Sequence, residues 1–232
     1  MVKEGYWFGL PPLAIGGVLL AFRTPLALTA GAVLVFLALF VCYFFRNPDR
    51  KIPMEPGVVV SPADGRVVVV KEEENAGRPG KRISIFLAIW NVHVNRSPAA
   101  GTITKLEYKP GKFLAAWAEK ASLENEQNVF TLSSEYGEIV FKQIAGWVAR
   151  RVVSWKKTGD EVGRGELVGL VRFGSRVDLW LPEGAEIAVK VGDSVKGGSS
   201  VIARMLAGAG VSPWQGGESS ATQKIRESGH GA

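Results

Sequence analysis

The chain has 232 residues, of which 47% are hydrophobic and 22% are charged. This balance excludes a mainly disordered protein, which would be poorer in apolar residues and richer in charge. The single cysteine, Cys42, excludes an intrachain disulfide framework and any zinc site built from several thiolates. The net charge of +6 suits an anionic partner, either lipid headgroups or nucleic acid, and does not choose between them.

The N-terminal segment has the composition of a membrane anchor. The uncharged run 26–45 is 20 residues long, enough for a helix to cross the roughly 30 Å core of a bilayer. A weaker apolar segment, 6–22, precedes it and contains Pro11-Pro12. We therefore expect residues 1–45 to form a helical hairpin with one or two transmembrane helices. A cleaved signal peptide fits less well, because the apolar run is too long and no small-residue cleavage site follows it.

The charges around this anchor predict its orientation. Four basic residues follow the second apolar segment, Arg46, Arg50, Lys51 and Arg66, whereas only Arg23 lies in the connection. Positive charges that flank membrane segments stay on the cytoplasmic side. We therefore expect a protein of the cell membrane whose remaining chain lies in the cytoplasm.

Beyond residue 57 the sequence predicts strands joined by short turns. The predicted strands are rich in β-branched and aromatic residues and are bounded by Gly, Pro, Asp and Asn. They are 58–60, 66–70, 83–94, 139–144, 151–155 and 167–181. Only 113–123 has a helical pattern, and the Gly- and Ser-rich segment 207–232 is expected to be a flexible tail. The fold class is thus predicted to be mostly β.

A short internal repeat refines that prediction. Residues 159–165 and 192–198 both read G-D-x-V-x-x-G. Gly-Asp is common turn chemistry, so each copy predicts a β-hairpin. The pattern also resembles the hairpins of lipoyl and biotinyl barrel-sandwich domains, which implies a barrel-sandwich-like β domain after the helical hairpin.

Three residues could carry chemistry. His93, one of two histidines, lies between two asparagines on the polar face of its predicted strand, where it could exchange protons, although a structural histidine is the commoner case. Ser175 follows Gly174 and shares the apolar face of its predicted strand, which by itself favours a packed bulge. Asp64, in the turn 61–65, either shapes that turn or orients a histidine.

Four segments, taken in order, resemble the phosphatidylserine decarboxylase family. They are Arg46-Asn47-Pro48-Asp49-Arg50 after an anchor, Ser61-Pro62-Ala63-Asp64-Gly65, Asn91-Val92-His93-Val94-Asn95-Arg96, and Phe173-Gly174-Ser175. Each segment alone is weak, whereas the ordered set is specific, and the likeness runs from about Arg46 to Met205 and is closest to the compact form of the family. The self-cleaving site of the family commonly reads Leu-Gly-Ser-Thr, so Phe173 and Arg176 are departures from the pattern.

The resemblance implies a proenzyme that cleaves itself between Gly174 and Ser175. The products would be a β chain, 1–174, and an α chain, 175–232, whose first residue becomes a pyruvoyl group. The family pattern assigns the activation of Ser175 to the residues that match His93 and Asp64, which would meet it as a catalytic triad. Residues 46–206 would then form the β-rich catalytic domain.

The implied reaction converts phosphatidylserine to phosphatidylethanolamine and CO2 through a Schiff base between the substrate amine and the pyruvoyl group. The only cofactor implied is this covalent group derived from Ser175, with no metal and no pyridoxal phosphate. The partners implied are phosphatidylserine in the membrane and the two chains for each other, with a homo-oligomer left open. Nucleic acid is not expected, because the basic residues are dispersed and no recognition motif accompanies them.

Two other classes of protein are alternatives to a decarboxylase. A non-enzymatic, membrane-anchored adaptor or carrier-like barrel-sandwich module would not require His93, Asp64 and Ser175 together. A carrier also needs an exposed lysine at a hairpin tip, typically beside a methionine, and neither copy of the repeat supplies one. A serine hydrolase would need a G-x-S-x-G elbow, which does not surround Ser175.

Overall fold

A computed structural model describes residues 1–111, 124–146, 151–172 and 175–206. Within these ranges the protein consists of two N-terminal helices followed by fourteen strands. Three expected features fall outside the described residues. They are the helix over 113–123, the pair Phe173-Gly174 at the cleavage site, and the tail 207–232.

The N-terminal helices form the expected hairpin. Helix α1 spans Lys3–Ala21 and helix α2 spans Pro25–Phe44. Thr24 caps α2 by accepting a 3.3 Å hydrogen bond from the Ala27 N–H, and a proline at the first helical position favours the start of the helix. Of the helices in the described ranges, α2 alone is long and apolar enough to cross a membrane, which is consistent with membrane association.

Small residues allow the two helices to approach closely. A Cβ at Gly16 would lie 3.0 Å from the carbonyl oxygen of Gly31, and a Cβ at Gly31 would lie 2.9 Å from that of Gly16. Ala38 on α2 is fully buried as well. Contacts between small residues are typical of helices that pack in lipid, because apolar side chains gain nothing by leaving a hydrocarbon solvent. Large apolar side chains remain exposed around the hairpin.

The strands after the hairpin form three antiparallel sheets. Their bounds are β1 Val58–Val60, β2 Gly65–Glu72, β3 Gly80–Leu87, β4 Val94–Arg96, β5 Gly101–Lys109, β6 Gln127–Ser134, β7 Gly137–Ile144, β8 Val152–Ser154, β9 Glu161–Val162, β10 Leu167–Val171, β11 Ser175–Pro182, β12 Glu186–Ile187, β13 Ser194–Val195 and β14 Val201–Arg204. The large sheet has the order β13-β2-β3-β11-β7-β6-β5-β9, and the small sheets are β1-β14-β12 and β4-β10-β8. The prediction of a mostly-β domain after a helical hairpin is confirmed.

The sequence repeat G-D-x-V-x-x-G is also a structural repeat. In each copy the first glycine donates a 2.8 Å hydrogen bond to a strand carbonyl, and the aspartate carboxylate accepts the N–H of the residue three positions earlier. The pairs are Gly159 with Ile103, Gly192 with Val67, Lys157 with Asp160, and Lys190 with Asp193. The short strands that follow, β9 and β13, lie at opposite ends of the large sheet. The two halves of the domain are therefore built alike.

The turn that carries Asp64 is duplicated in the same way. Residues 61–65 and 97–101 both read S-P-A-x-G, and each serine Oγ donates to the alanine carbonyl two residues later, at 2.6 and 2.7 Å. A Cβ on either final glycine would lie 2.2 Å from a carbonyl oxygen of the neighbouring strand, so both positions require glycine. In the second copy Ala100 replaces Asp64. Because this copy forms the same turn, a carboxylate is not needed to shape it.

Two strand predictions that concern the site are wrong. The sequence predicts a single strand over 167–181, but β10 ends at Val171 and β11 begins at Ser175 in a different sheet. The other concerns the segment of His93. The sequence predicts a single strand over 83–94, but β3 ends at Leu87 and β4 begins at Val94. Asn91 makes a turn between them, because its Oδ1 accepts the Ala88 N–H and its own N–H donates to the Ala88 carbonyl, both at 2.8 Å. His93 therefore lies at the end of a loop and not on the polar face of a strand.

Candidate active site

Ser175 begins β11, where the chain enters the middle of the large sheet. It shares a face of the strand with Val177, Leu179 and Leu181, which are core residues, as the predicted alternation requires. The side chain is fully buried, and its Oγ has no hydrogen-bond partner among the described residues. A buried hydroxyl without a partner costs about 1–3 kcal/mol. Such an unpaired group calls for an explanation, and a reactive role is one.

The 88–93 loop is linked at its two ends to Ser175 and to Val171, the last residue of β10. At one end of the loop, Leu87 is the register partner of Ser175 on the neighbouring strand. At the other end, the carbonyl of His93 accepts a 3.1 Å hydrogen bond from the Val171 N–H. The loop is therefore held to Ser175 at one end and to Val171 at the other, which places His93 and Ser175 in the same part of the domain.

Helix α2 ends against the ring of His93. The imidazole is buried, and its centroid lies 4.2 Å from the ring of Phe44, the last residue of α2. Phe44 and Phe45 pack in one apolar cluster with Val94 of β4 and Leu170 of the neighbouring strand β10. The cluster joins the hairpin to the β domain and keeps water away from the imidazole.

His93 is held as a neutral base. Its Nδ1 lies 2.9 Å from the carbonyl oxygen of Asn91. Because a carbonyl can only accept, Nδ1 carries the proton and Nε2 keeps its lone pair. Burial lowers the pKa of His93 to about 4; the Asn91 hydrogen bond opposes this shift, and the positive charge of Arg46 adds to it. The imidazole is thus uncharged at neutral pH.

This environment predicts an unusual titration. In NMR spectra the imidazole signal of His93 should change near pH 4, instead of near the ordinary value of 6.5. Because the unfolded chain binds this proton more readily, the free energy of unfolding should fall by about 3 kcal/mol as the pH drops from 6.5 to 4. His230 gives the other imidazole signal, and His230→Gln would identify it. A midpoint for His93 near 6.5 would contradict the buried, neutral state.

Asp64 is engaged by groups other than the imidazole. The Arg50 guanidinium donates to both carboxylate oxygens, at 2.9 and 2.8 Å, and the Gly197 N–H donates to Oδ1 at 2.7 Å. These are the hydrogen bonds that Asp64 makes in the described part of the chain, whereas Nδ1 of His93 has the Asn91 carbonyl as its partner. The carboxylate is firmly held, and its membership of a triad stays a prediction.

Comparison with known proteins decides the family. The family model for phosphatidylserine decarboxylase matches residues 37–203 of this chain. The chain belongs to this family. Similar proteins include the phosphatidylserine decarboxylase proenzymes of Solibacter usitatus, 47% identical over 89% of this chain and 97% of the relative, and of Symbiobacterium thermophilum, 50% identical over 75% and 83%. That of Syntrophus aciditrophicus is 47% identical over 71% of this chain and 79% of its own.

Membership of this family confirms the prediction of a phosphatidylserine decarboxylase, which is a lyase. It does not favour a non-enzymatic adaptor or carrier. The word proenzyme in the names of the relatives implies a precursor that is processed into two chains, and their substrate is a phospholipid. In the ranges that the structure describes, no group of three or more His, Cys, Asp or Glu side chains is placed to hold a metal ion.

Residues 46–50 of the decarboxylase connect the helical hairpin to the candidate site. The sequence placed this motif in the family without giving it a structural role. Three of its side chains bind three separate parts of the site. The pairs are Arg46 with the Trp90 carbonyl at 2.7 Å, Asn47 with Arg96 at 2.6 Å, and Arg50 with Asp64 at 2.8 Å. The segment therefore fixes the end of α2 against both the His93 loop and the Asp64 turn.

Arg176, where the family commonly has threonine, is fully buried on the opposite face of β11 from Ser175. Its guanidinium donates to both carboxylate oxygens of Asp178, at 2.5 and 3.1 Å, and to the Ser84 Oγ at 2.9 Å. Arg176 therefore points away from the Ser175 side, as the alternation of side chains along a strand requires. This buried ion pair was not predicted, although the i, i+2 spacing of opposite charges on one strand face was a usable signal.

Proposed function

We propose that this decarboxylase is made as a proenzyme, cuts itself between Gly174 and Ser175, and uses a pyruvoyl group formed from Ser175 to convert phosphatidylserine to phosphatidylethanolamine and CO2. The observation that carries the proposal is the buried Ser175 hydroxyl, which has no partner among the described residues and follows a strand whose Val171 N–H donates to the carbonyl of the neutral His93. Residues 1–45 serve as the anchor and 46–206 as the catalytic domain, with 207–232 as a tail.

The surroundings of Ser175 suit a pyruvoyl group. A pyruvoyl group has no hydroxyl hydrogen to donate. Because no described group accepts a hydrogen bond from the Ser175 hydroxyl, its conversion to a pyruvoyl group breaks no described hydrogen bond. The apolar neighbours Val177 and Leu179 favour a small uncharged group over a charged amino terminus. A pyruvoyl group supplies an electrophilic carbonyl that takes up the substrate amine and accepts the electron pair left by departing CO2.

Self-cleavage needs a base at Ser175. The Ser175 Oγ attacks the carbonyl carbon of Gly174, the amide C–N bond breaks, and an ester forms in its place. A hydroxyl is a weak nucleophile unaided, and we assign Nε2 of His93, the ring nitrogen that carries no proton, as the base that takes its proton. Loss of the Ser175 α-proton then expels the Gly174 carboxylate, and water releases ammonia to leave the ketone.

Asp64 is assigned to the support of this base. Its carboxylate is not required for the turn, since Ala100 occupies the same place in the second copy. Arg50 and the Gly197 N–H hold the carboxylate in a fixed orientation, and a carboxylate fixed in this way can stabilise the imidazolium that forms when His93 takes a proton.

A neutral His93 also suits turnover. The substrate amine arrives as an ammonium and must lose a proton before it can react. His93 takes up that proton and returns it to the substrate α-carbon after CO2 has left. The low pKa of His93 means that the imidazole is uncharged, and so ready to accept, at the start of each cycle.

The anchor supports a substrate that stays in the bilayer. Because α2 ends on the ring of His93 through Phe44, the site lies where the helix leaves the membrane. A lipid can then keep its acyl chains in the bilayer while its headgroup reaches the β domain. The basic residues that follow α2 favour the cytoplasmic side for this domain.

Intact mass spectrometry of the purified protein under denaturing conditions tests the proposal. We expect two chains that meet between Gly174 and Ser175, the smaller with a ketone in place of its terminal amine, and phosphatidylethanolamine formed on vesicles of phosphatidylserine. One uncut chain of 25.0 kDa without lipid product would contradict the proposal. Two chains without product would contradict the substrate alone.

The same experiment, run as a time course after cell-free synthesis, separates the roles of the residues. His93→Gln should slow self-cleavage by about a hundredfold or more, the usual contribution of a general base. Asp64→Asn should also slow it, whereas Asp160→Asn, a matched change at an aspartate that only closes a turn, should not. Normal cleavage in His93→Gln would remove the assignment of the base.

A further inference from the structure

We propose that the 88–93 loop is a second membrane contact, in which Ile89 and Trp90 enter the lipid–water interface beside α2. The contact would hold the nearby His93 at the depth of the lipid headgroups. This inference rests on the proposed function in one respect, namely that α2 spans a bilayer.

The loop exposes two large apolar side chains at its tip. Ile89 is 38% exposed and Trp90 is 67% exposed, whereas Val92 and His93, just beyond them, are buried. The protein uses only the main-chain carbonyl of Trp90 in the described hydrogen bonds, so the indole is not needed to shape the loop. Exposed apolar side chains at the tip of a short, well-held loop favour insertion into an apolar medium.

The loop is fastened to the place where α2 ends. The Trp90 carbonyl accepts hydrogen bonds from the Arg46 Nη2 at 2.7 Å and from the Tyr43 hydroxyl at 3.3 Å. The guanidinium of Arg46 also lies 3.8 Å from the centre of the Tyr43 ring. Since α2 ends at Phe44, these contacts place Trp90 level with the membrane boundary.

The chemistry at this end of the hairpin is that of an interface. The start of α1 meets the end of α2 here, where the Val2 N–H donates to the Phe45 carbonyl. Tyr6, Trp7 and Tyr43 at this end are 51%, 77% and 49% exposed. Trp and Tyr are enriched at membrane surfaces because their rings are apolar at one end and polar at the other. Trp90 completes a belt of such residues, which favours a lipid surface over a protein partner.

A fluorescent label measures the depth of the loop directly. In a Cys42→Ser background, Trp90→Cys is labelled with an environment-sensitive dye, and the full chain is reconstituted into phosphatidylcholine vesicles with or without brominated acyl chains. The label at position 90 should shift to the blue and be quenched by bromines near the headgroups. The matched control is Val191→Cys, which is 58% exposed between β12 and β13 and should stay unquenched.

The effect on activity is measured separately. Trp90→Ser should lower the ratio of activity on phosphatidylserine vesicles to activity on dispersed short-chain phosphatidylserine by about tenfold. An unquenched label at position 90 would overturn the inference even in an active enzyme, and a protein partner would then be the remaining occupant. A quenched label in a protein without decarboxylase activity would support this inference and count against the proposed function alone.

Discussion

Ser175→Ala should give a single uncut chain of 25.0 kDa that forms no phosphatidylethanolamine. Without Oγ there is no nucleophile for the Gly174 carbonyl, and without cleavage there is no ketone to hold the substrate amine. The loss of activity should be complete, because the same atom is needed for both steps. Denaturing mass spectrometry and a lipid assay on the same sample measure it.

The variant should nevertheless fold. Ser175 Oγ makes no hydrogen bond with the described residues, so its removal leaves no partner unsatisfied. The matched control is Ser97→Ala, an equally buried serine in the second copy of the turn, which should still be cut and active. Cleavage of Ser175→Ala at the same bond would show that another residue is the nucleophile.

Arg176→Met should destabilise the protein by about 3–5 kcal/mol, the usual cost of breaking a buried ion pair from one side. The change would remove the bidentate partner of the Asp178 carboxylate, which is nearly fully buried, while Arg82 lies farther away, at 3.7 Å. Guanidinium unfolding of the full chain in detergent measures the loss. The Ser175→Ala background keeps all samples uncut.

The chain offers a close control for this prediction. Lys105 and Glu107 have the same i, i+2 spacing on β5 and lie 2.8 Å apart, but both side chains are well exposed. Lys105→Met should therefore cost less than about 1 kcal/mol. The double variant Arg176→Met with Asp178→Leu should recover much of the lost stability, since no charge is then left unpaired. Equal costs at the two pairs would show that burial of Arg176 does not matter.

The helical hairpin and the mostly-β fold class could be predicted because each depends on the pattern of apolar residues within short stretches of sequence. The apolar run 26–45 differs from α2 by one residue at each end, and β1 has the predicted bounds. In the same way, the alternation along β11 correctly put Ser175 towards the core and Arg176 on the other face. A strand with strict period-two patterning carries this information in its own residues.

The surroundings of His93 could not be predicted, because they come from distant parts of the chain. Its segment has the β-branched composition of a strand, and only the Asn91 turn and the ring of Phe44 make it a buried loop. The partner of Asp64 was hidden for the same reason, since Arg50 is brought to it by the fold. The second S-P-A-x-G turn was visible in the sequence but is too short to recognise without the structure.

The central position of β11 has a consequence for the life of the mature enzyme. The proposed cut falls just before a strand that pairs with β3 on one side and β7 on the other, and β14 pairs with β1. The strands of the smaller product would therefore pair with strands of the larger one on both sides of β11, and the two products could separate only by unfolding. A precursor refolds as one molecule, but its products would have to find each other in solution. Unfolding of the cleaved enzyme would then be irreversible, and the lifetime of the active form would be set by its rate of unfolding.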